Sequence, residues 1–381
     1  MPKRLLLVSA KAAPDRLREK ALSEGLEAIH VPDALEPESL LRVAREQRAD
    51  GILALDAAAE DAADAVIAQL CLPGVPGAWR EPEAQSACLE QMRAEGLPVV
   101  EFKVMPSAEP MLDALHAIDL PAWAGPAAAL RQPFRVRIDH HPDFPLAFAK
   151  IHKRAPAVAV ALQRAWDGPL FRLYGFMFQR DFFPVEIVGE ELLPGQFPVP
   201  ISVVYPPPLS QRAYQSLLAF ANRAARRLPS GHYLVEFEFA VVLDTPLLVG
   251  CNPARIVNAA YNDLLMESLD IDIERDCLRV AAGDPPRETP TSTLPAAVRW
   301  LTSHSGIVQE INGLEAARAC PGVRKVAVAA KIGDTLKHVV DTASRDTIGY
   351  VLAVAPLREE AQASAAHACA LIQVVTRQIV A

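Results

Sequence analysis

The stretch from His232 to Arg255, HYLVEFEFAVVLDTPLLVGCNPAR, constrains the fold more than any other part of this chain. Two β-rich segments, Tyr233 to Leu243 and Pro246 to Gly250, flank Asp244-Thr245, so a hairpin turning at that dipeptide is expected. Side chains alternate along a strand, which sets Glu236 and Glu238 on one face of the first strand. Two carboxylates so placed can hold a cation, and the amide oxygen of Asn252, stiffened by Pro253, can complete the set. Arg255 follows as a planar, permanently charged fork suited to an anion. Solvated glutamates on an ordinary edge hairpin are the other reading of the same residues.

Ahead of the hairpin the pattern alternates. Arg4 to Ser9 (RLLLVS) is an apolar run with the length of a buried parallel strand, and a helix from Pro14 to Glu24 follows, ended by Gly25. A strand Leu26 to Val31, a helix Glu38 to Gln47 and a strand Gly51 to Leu55 complete a small doubly wound domain over residues 1–80. The first turn, Ser9 to Ala13, holds no glycine, which argues against a dinucleotide site of the Rossmann kind. A central region, 81–283, then reads as a helix Pro82 to Glu95, a strand Val99 to Val104, a helix N-capped by Asp143, a strand Val158 to Trp166 and a helix Gln211 to Leu228 capped by Ser210. After the hairpin come helices Ala259 to Leu269 and Ile273 to Ala282, and then a Pro, Thr and Ser-rich linker, Asp284 to Pro295. The last unit, 296–381, reads as an α+β cap closing with a helix Arg358 to Val375.

Bulk properties exclude several functions. A net charge of -8 without a basic cluster gives nothing to hold the nucleic-acid backbone. No apolar run approaches the ~20 residues of a membrane-spanning helix, and MPKRLLLVSA reads as a strand rather than a signal peptide. Six cysteines without C-x-x-C spacing predict reduced thiols in a cytoplasmic protein.

Taken together, these segments resemble the ATP-grasp superfamily, and within it the bacterial L-amino-acid ligases and related carboxylate-amine ligases. The hairpin with its N-P-A-R end carries part of the resemblance. The rest lies in GIVQEINGLEAARACPGV from Gly306, KIGD from Lys331 and SRDTIGYVLA from Ser344, in that order. The resemblance implies an ATP-grasp fold of three domains, with Glu236 and Asn252 as magnesium ligands and Arg255, displaced by the inserted Ala254, as the arginine that holds a substrate carboxylate. It also implies losses. Gly250 stands where the family has a second metal-binding glutamate, Gln85 and Gly125 where it has lysines that contact ATP, and Ala127 to Leu130 where it has a glycine-rich loop. Gln163 and Arg164 replace a pair of glutamates at the adenine and ribose edge, and are expected at a solvated strand end.

Two functions follow as expectations. One is a non-catalytic homologue that binds a small carboxylate or amino acid through Arg255, or serves an active ligase or a second copy of itself as partner. The other is a working ATP-dependent carboxylate-amine ligase with a remodelled site, in which Lys103, Lys150 and Lys153 hold the nucleotide and Glu236, Glu238 and Asn252 hold magnesium.

Overall fold

Four apolar residues in succession, Leu5 to Val8, are fully buried in β1 (Lys3–Ser9), as a strand covered on both faces requires. In the computed structural model, which describes residues 2–10, 15–32, 36–80, 82–105, 118–126, 134–154, 159–166, 169–195, 197–254 and 256–378, β1 is the centre of a parallel sheet. Its neighbours are β2 (Leu26–Pro32) and β3 (Gly51–Ala54), in the order β2-β1-β3. Leu6 and Val8 pack on the helices Pro37–Gln47 and Ala57–Leu70. Leu5 and Leu7 face the other way, onto the helix Asp15–Ser23 and onto Leu278 of the distant helix Ile273–Ala281. The expected doubly wound unit is thus present, and a segment from much later in the chain covers one of its faces.

The second sheet is antiparallel, in the order β4-β7-β5-β6, from β4 (Phe102–Met105), β5 (Ala122–Pro126), β6 (Val136–Ile138) and β7 (Val160–Arg164). The helix Phe144–Arg154 covers one face, setting Phe144, Ala147 and Ile151 against Ala122, Val136, Ile138 and Leu162. Asp143 is not its N-cap: it ends a single 3-10 turn, and its carboxylate accepts from the His140 N–H at 3.1 Å.

The largest sheet has eight strands and runs through the central and C-terminal regions. Six of its strands are β8 (Leu170–Gln179), β9 (Asp181–Leu192), β10 (Pro200–Tyr205), β11 (Gly231–Val242), β12 (Thr245–Ala254) and β13 (Ala296–Trp300). The C-terminal unit follows with β14 (Gly306–Asn312), β15 (Val323–Val328), β16 (Thr335–Leu336), β17 (Gly349–Val354) and β18 (Gln373–Arg377). The large sheet has the order β12-β11-β8-β9-β10-β13-β17-β15, so the C-terminal α+β unit adds strands to the hairpin's own sheet. Beside it stands the small sheet β16-β14-β18. The expected last helix stops at Leu371, because Val374 and Val375 are drawn into β18 against β14.

Alternation divides the core of the large sheet. Val235, Phe237 and Phe239 of β11 pack with Phe171 and Leu173 against Leu89 and Met92 of the helix Pro82–Ala94 and Leu217 and Phe220 of the helix Gln211–Ala225. On the other face Leu234, Tyr174 and Phe176 meet the helix Ala259–Leu269 and the helix Ile273–Ala281. Among the described residues no helix is long and apolar enough to cross a membrane.

Candidate functional site

The hairpin forms, with its turn at Leu243-Asp244, one residue earlier than expected. Both residues take left-handed conformations, φ 49° and 61°, the geometry that matches the twist of two antiparallel strands. A bulge between Glu238 and Phe239 leaves Val249 as the extra residue on β12, and it sets the register of everything above it. Glu236 stands directly opposite Asn252, and Glu238 opposite Gly250. With Phe237 and Phe239 committed to the core, both glutamates emerge on the other face, where β8 presents Tyr174 opposite Glu236 and Arg172 opposite Glu238.

Arg172 holds three carboxylates from three positions. Its Nε donates to Glu190 Oε1 of β9 at 2.6 Å, one terminal nitrogen to Glu236 Oε2 at 2.8 Å and the other to Glu238 Oε1 at 2.9 Å. Arg135 approaches the free side of Glu238 at 3.6 Å, and Tyr261 donates to Glu190 at 2.5 Å. The cluster is largely withdrawn from water, with side-chain exposures of 11% for Arg172 and 1% for Glu190. Burial pushes the Glu236 carboxyl above its ordinary range despite Arg172. Burial acts on Glu238 in the same sense, but Arg172 and then Arg135 outweigh it and hold that carboxyl below its ordinary range.

Glu236, Glu238 and Asn252 are oxygen donors of the kind that magnesium takes, and the buried Asn252 Oδ1 has no hydrogen-bond partner. The fit fails on charge. Both carboxylates already bind a guanidinium, so a divalent ion among them would face a fixed positive charge within a few ångströms. Among the described residues no group of three or more His, Cys, Asp or Glu side chains is arranged to hold a metal.

Comparison with known proteins identifies the fold. The sequence model of the L-amino acid ligase C-terminal domain 2 family matches residues 299–377. The L-amino acid ligase from Bacillus licheniformis is 18% identical and superposes with a TM-score of 0.79 over 99% of both chains. The carboxyaminoimidazole ribonucleotide synthase from Aspergillus clavatus, solved with ATP, is 14% identical, with a TM-score of 0.75 over 97% of this chain and 98% of that one. Phosphoribosylglycinamide synthetase from Anaerococcus prevotii is 13% identical, with a TM-score of 0.70 over 99% of this chain and all of its own. The chain has the ATP-grasp fold. An uncharacterized protein of Sinorhizobium fredii is 25% identical over 324 residues, which is 78% of this chain and 63% of that protein, so the chain spans less than two thirds of the curated relative that it matches.

At Gln85, Gly125 and Gln163, the positions that the sequence resemblance sets beside a nucleotide, this chain packs against itself. Gln163 is not at a solvated strand end: it is 5% exposed, and its Nε2 donates to the Val249 carbonyl of the hairpin at 2.6 Å. Trp123 and Trp166, with ring centroids 5.9 Å apart, fill the space beside it against Leu170, Ala240 and Val249. What remains between Phe102, Trp123, Gly125, Arg135 and Gln163 is a cavity of about 10 Å³, on the scale of a single water. A Cβ at Gly125 would stand 2.6 Å from the Phe134 carbonyl oxygen, so no lysine side chain fits the backbone there. Gln85 is buried and spends its amide on the Trp79 carbonyl at 3.1 Å. Arg164 stays exposed, 3.7 Å from Asp119.

The three candidate nucleotide lysines are not brought to the hairpin. Lys103 is exposed, and alternation along β4 turns it away from Phe102, which faces the Gln163 cavity. Lys150 and Lys153 belong to the helix on the far face of the same sheet; Lys150 lies 5.9 Å over the Phe197 ring and Lys153 is exposed. Arg255 and the run Ala127 to Leu130 lie outside the described residues. Sequence reasoning missed Arg172, Glu190 and the tryptophan pair. The signal for Arg172 was there, since a single arginine inside LFRLYGFMF is a charge that an apolar strand must pair.

An open space lies farther along the same face of the hairpin, beside Glu236. A cleft of about 530 Å³ separates the N-terminal domain, through Ser9, Arg16 and Asp56, from Glu236, Ile256, Asn258 and Glu274. Arg16 grips Glu274 in two hydrogen bonds, at 2.7 and 3.2 Å, and Asp56 accepts from the Ala10 N–H at 2.8 Å.

Proposed function

We propose that this chain is a non-catalytic relative of the carboxylate-amine ligases, which holds a small carboxylate-bearing molecule of the amino-acid class in the cleft beside the N-terminal domain and takes no nucleotide. The observation that carries this reading is the hydrogen bond from Gln163 to the Val249 carbonyl, with the two tryptophans closing the space beside it. A nucleotide requires a cavity of roughly 300 Å³ or more, and opening one here would cost buried aromatic packing and leave polar groups unpaired. Gln85 and Gly125 support the same reading, because neither position offers phosphate a charge.

The open cleft has the size and polarity for an amino acid. Asp56 suits an ammonium group, and Arg255, adjacent in the chain to the cleft residue Ile256, suits a carboxylate. Such a protein would act as a sensor or as a partner subunit of an active ligase, and its six unpaired thiols fit a reducing, cytoplasmic setting.

The test is a thermal-shift screen of amino acids and dicarboxylates on the wild type and Arg255→Ala. At least one compound should stabilise the wild type, and the variant should bind it about tenfold or more weakly, as loss of a charge-assisted hydrogen-bond pair requires. Stabilisation that persists unchanged in Arg255→Ala rejects the role of this arginine. Release of ADP from ATP in the presence of amino acids rejects the non-catalytic reading.

A further inference from the structure

The acidic cluster at the hairpin gathers three carboxylates around a cation built into the chain. Glu190, Glu236 and Glu238 converge from β9 and β11 on one guanidinium, each bound by a different nitrogen at 2.6 to 2.9 Å. A second feature points into the same place. Asn252, 8% exposed and directly opposite Glu236, keeps its Oδ1 buried without a partner. Its Nδ2 lies 3.7 Å from where a Cβ at Gly250 would stand, and Glu238 Oε2 lies 3.1 Å from the same point. The carboxylate of Glu238, reaching across from β11, thus fills the approach that a side chain at position 250 would take.

We propose that Arg172 is the resident cation of this site, and that neutralising position 172 turns Glu190, Glu236, Glu238 and Asn252 into an oxygen-donor site for a divalent cation. The guanidinium stays charged at every pH at which the protein folds, and its planar fork reaches carboxylates that a hydrated metal ion would otherwise bridge. In the wild type the attraction that would draw a divalent ion is already satisfied, and the ion would have to displace a buried side chain anchored on both β9 and β11. The inference is independent of the closed nucleotide cleft, because it concerns metal alone.

The experiment is a titration with manganous chloride, without nucleotide, followed by electron paramagnetic resonance and by thermal shift. The wild type should leave the signal of free Mn²⁺ unchanged. Arg172→Ser should melt lower in the absence of metal, recover on addition of Mn²⁺, and bind one ion at least about tenfold more tightly than the wild type. Should Arg172→Ser fail to fold, Arg172→Lys carries the test beside the wild type, since both keep a cation at 172 and both should leave Mn²⁺ free. One-to-one binding by either that Glu236→Gln abolishes overturns the proposal, as does a folded Arg172→Ser that binds no Mn²⁺.

Discussion

Arg172 carries more of the site than any other single residue, and its energetics follow from where its partners sit. Glu190 is 1% exposed, so removing the guanidinium would leave at least one carboxylate charged and stranded away from water. Arg172→Met is expected to destabilise the fold by about 3 to 5 kcal/mol in urea unfolding, the range for breaking a buried pair from one side. A loss below about 1 kcal/mol would place the cluster in solvent. Glu236, Glu238 and Asn252 were legible in the sequence because a strand alternates and the three lie within one hairpin. Arg172 was not, since it stands 64 residues from Glu236 and only the pairing of β8 with β11 brings them together. Gln163 was misjudged for a related reason: the end of its own strand reads as solvated, and the hairpin that buries it lies 86 residues away.

Elements formed largely where hydrophobic period and capping placed them, and the departures trace to local chemistry. The hairpin turn falls on Leu243 because the bulge at Val249 sets the register, although leucine is a poor residue for a left-handed backbone and gains nothing there, being 97% exposed. Leu243→Asn should therefore raise stability by about 0.5 to 1 kcal/mol, read as a higher urea midpoint at unchanged slope; a lower midpoint would mean that the leucine has a contact in solution. The helix Ile273–Ala281 ties down the linker that follows it: Asp276 accepts from the Arg287 N–H at 2.8 Å and the Glu288 N–H at 3.1 Å. Burial pushes the Asp276 carboxyl up to about 6 from 3.8, against the pull of those two N–H groups. The folded chain then binds this proton more tightly than the unfolded one. Its contribution is full below about pH 4 and is lost as the pH rises through about 6, on the order of 2 to 3 kcal/mol in all. Asp276→Asn should gain stability relative to the wild type between pH 4 and pH 7 in paired melting curves, and a constant difference would contradict the assignment.

At the scale of the whole molecule, the eight-stranded sheet continues from the hairpin into the C-terminal unit, and the N-terminal sheet packs on a helix that follows the hairpin, so both sides of the site are fixed by distant parts of the chain. That arrangement was legible as a family resemblance from ordered motifs, whereas which of its two clefts stays open was not, because closure depends on side chains meeting across sheets. One cleft is filled by Trp123, Trp166 and Gln163; the other, beside Asp56 and Glu236, is open. The most direct test of the central claim is a calorimetric titration of the wild-type chain with ATP in excess magnesium. The space closed by Trp123, Trp166 and Gln163 predicts no saturable heat below about millimolar nucleotide, and a dissociation constant near a micromolar, about −8 kcal/mol, would contradict the account.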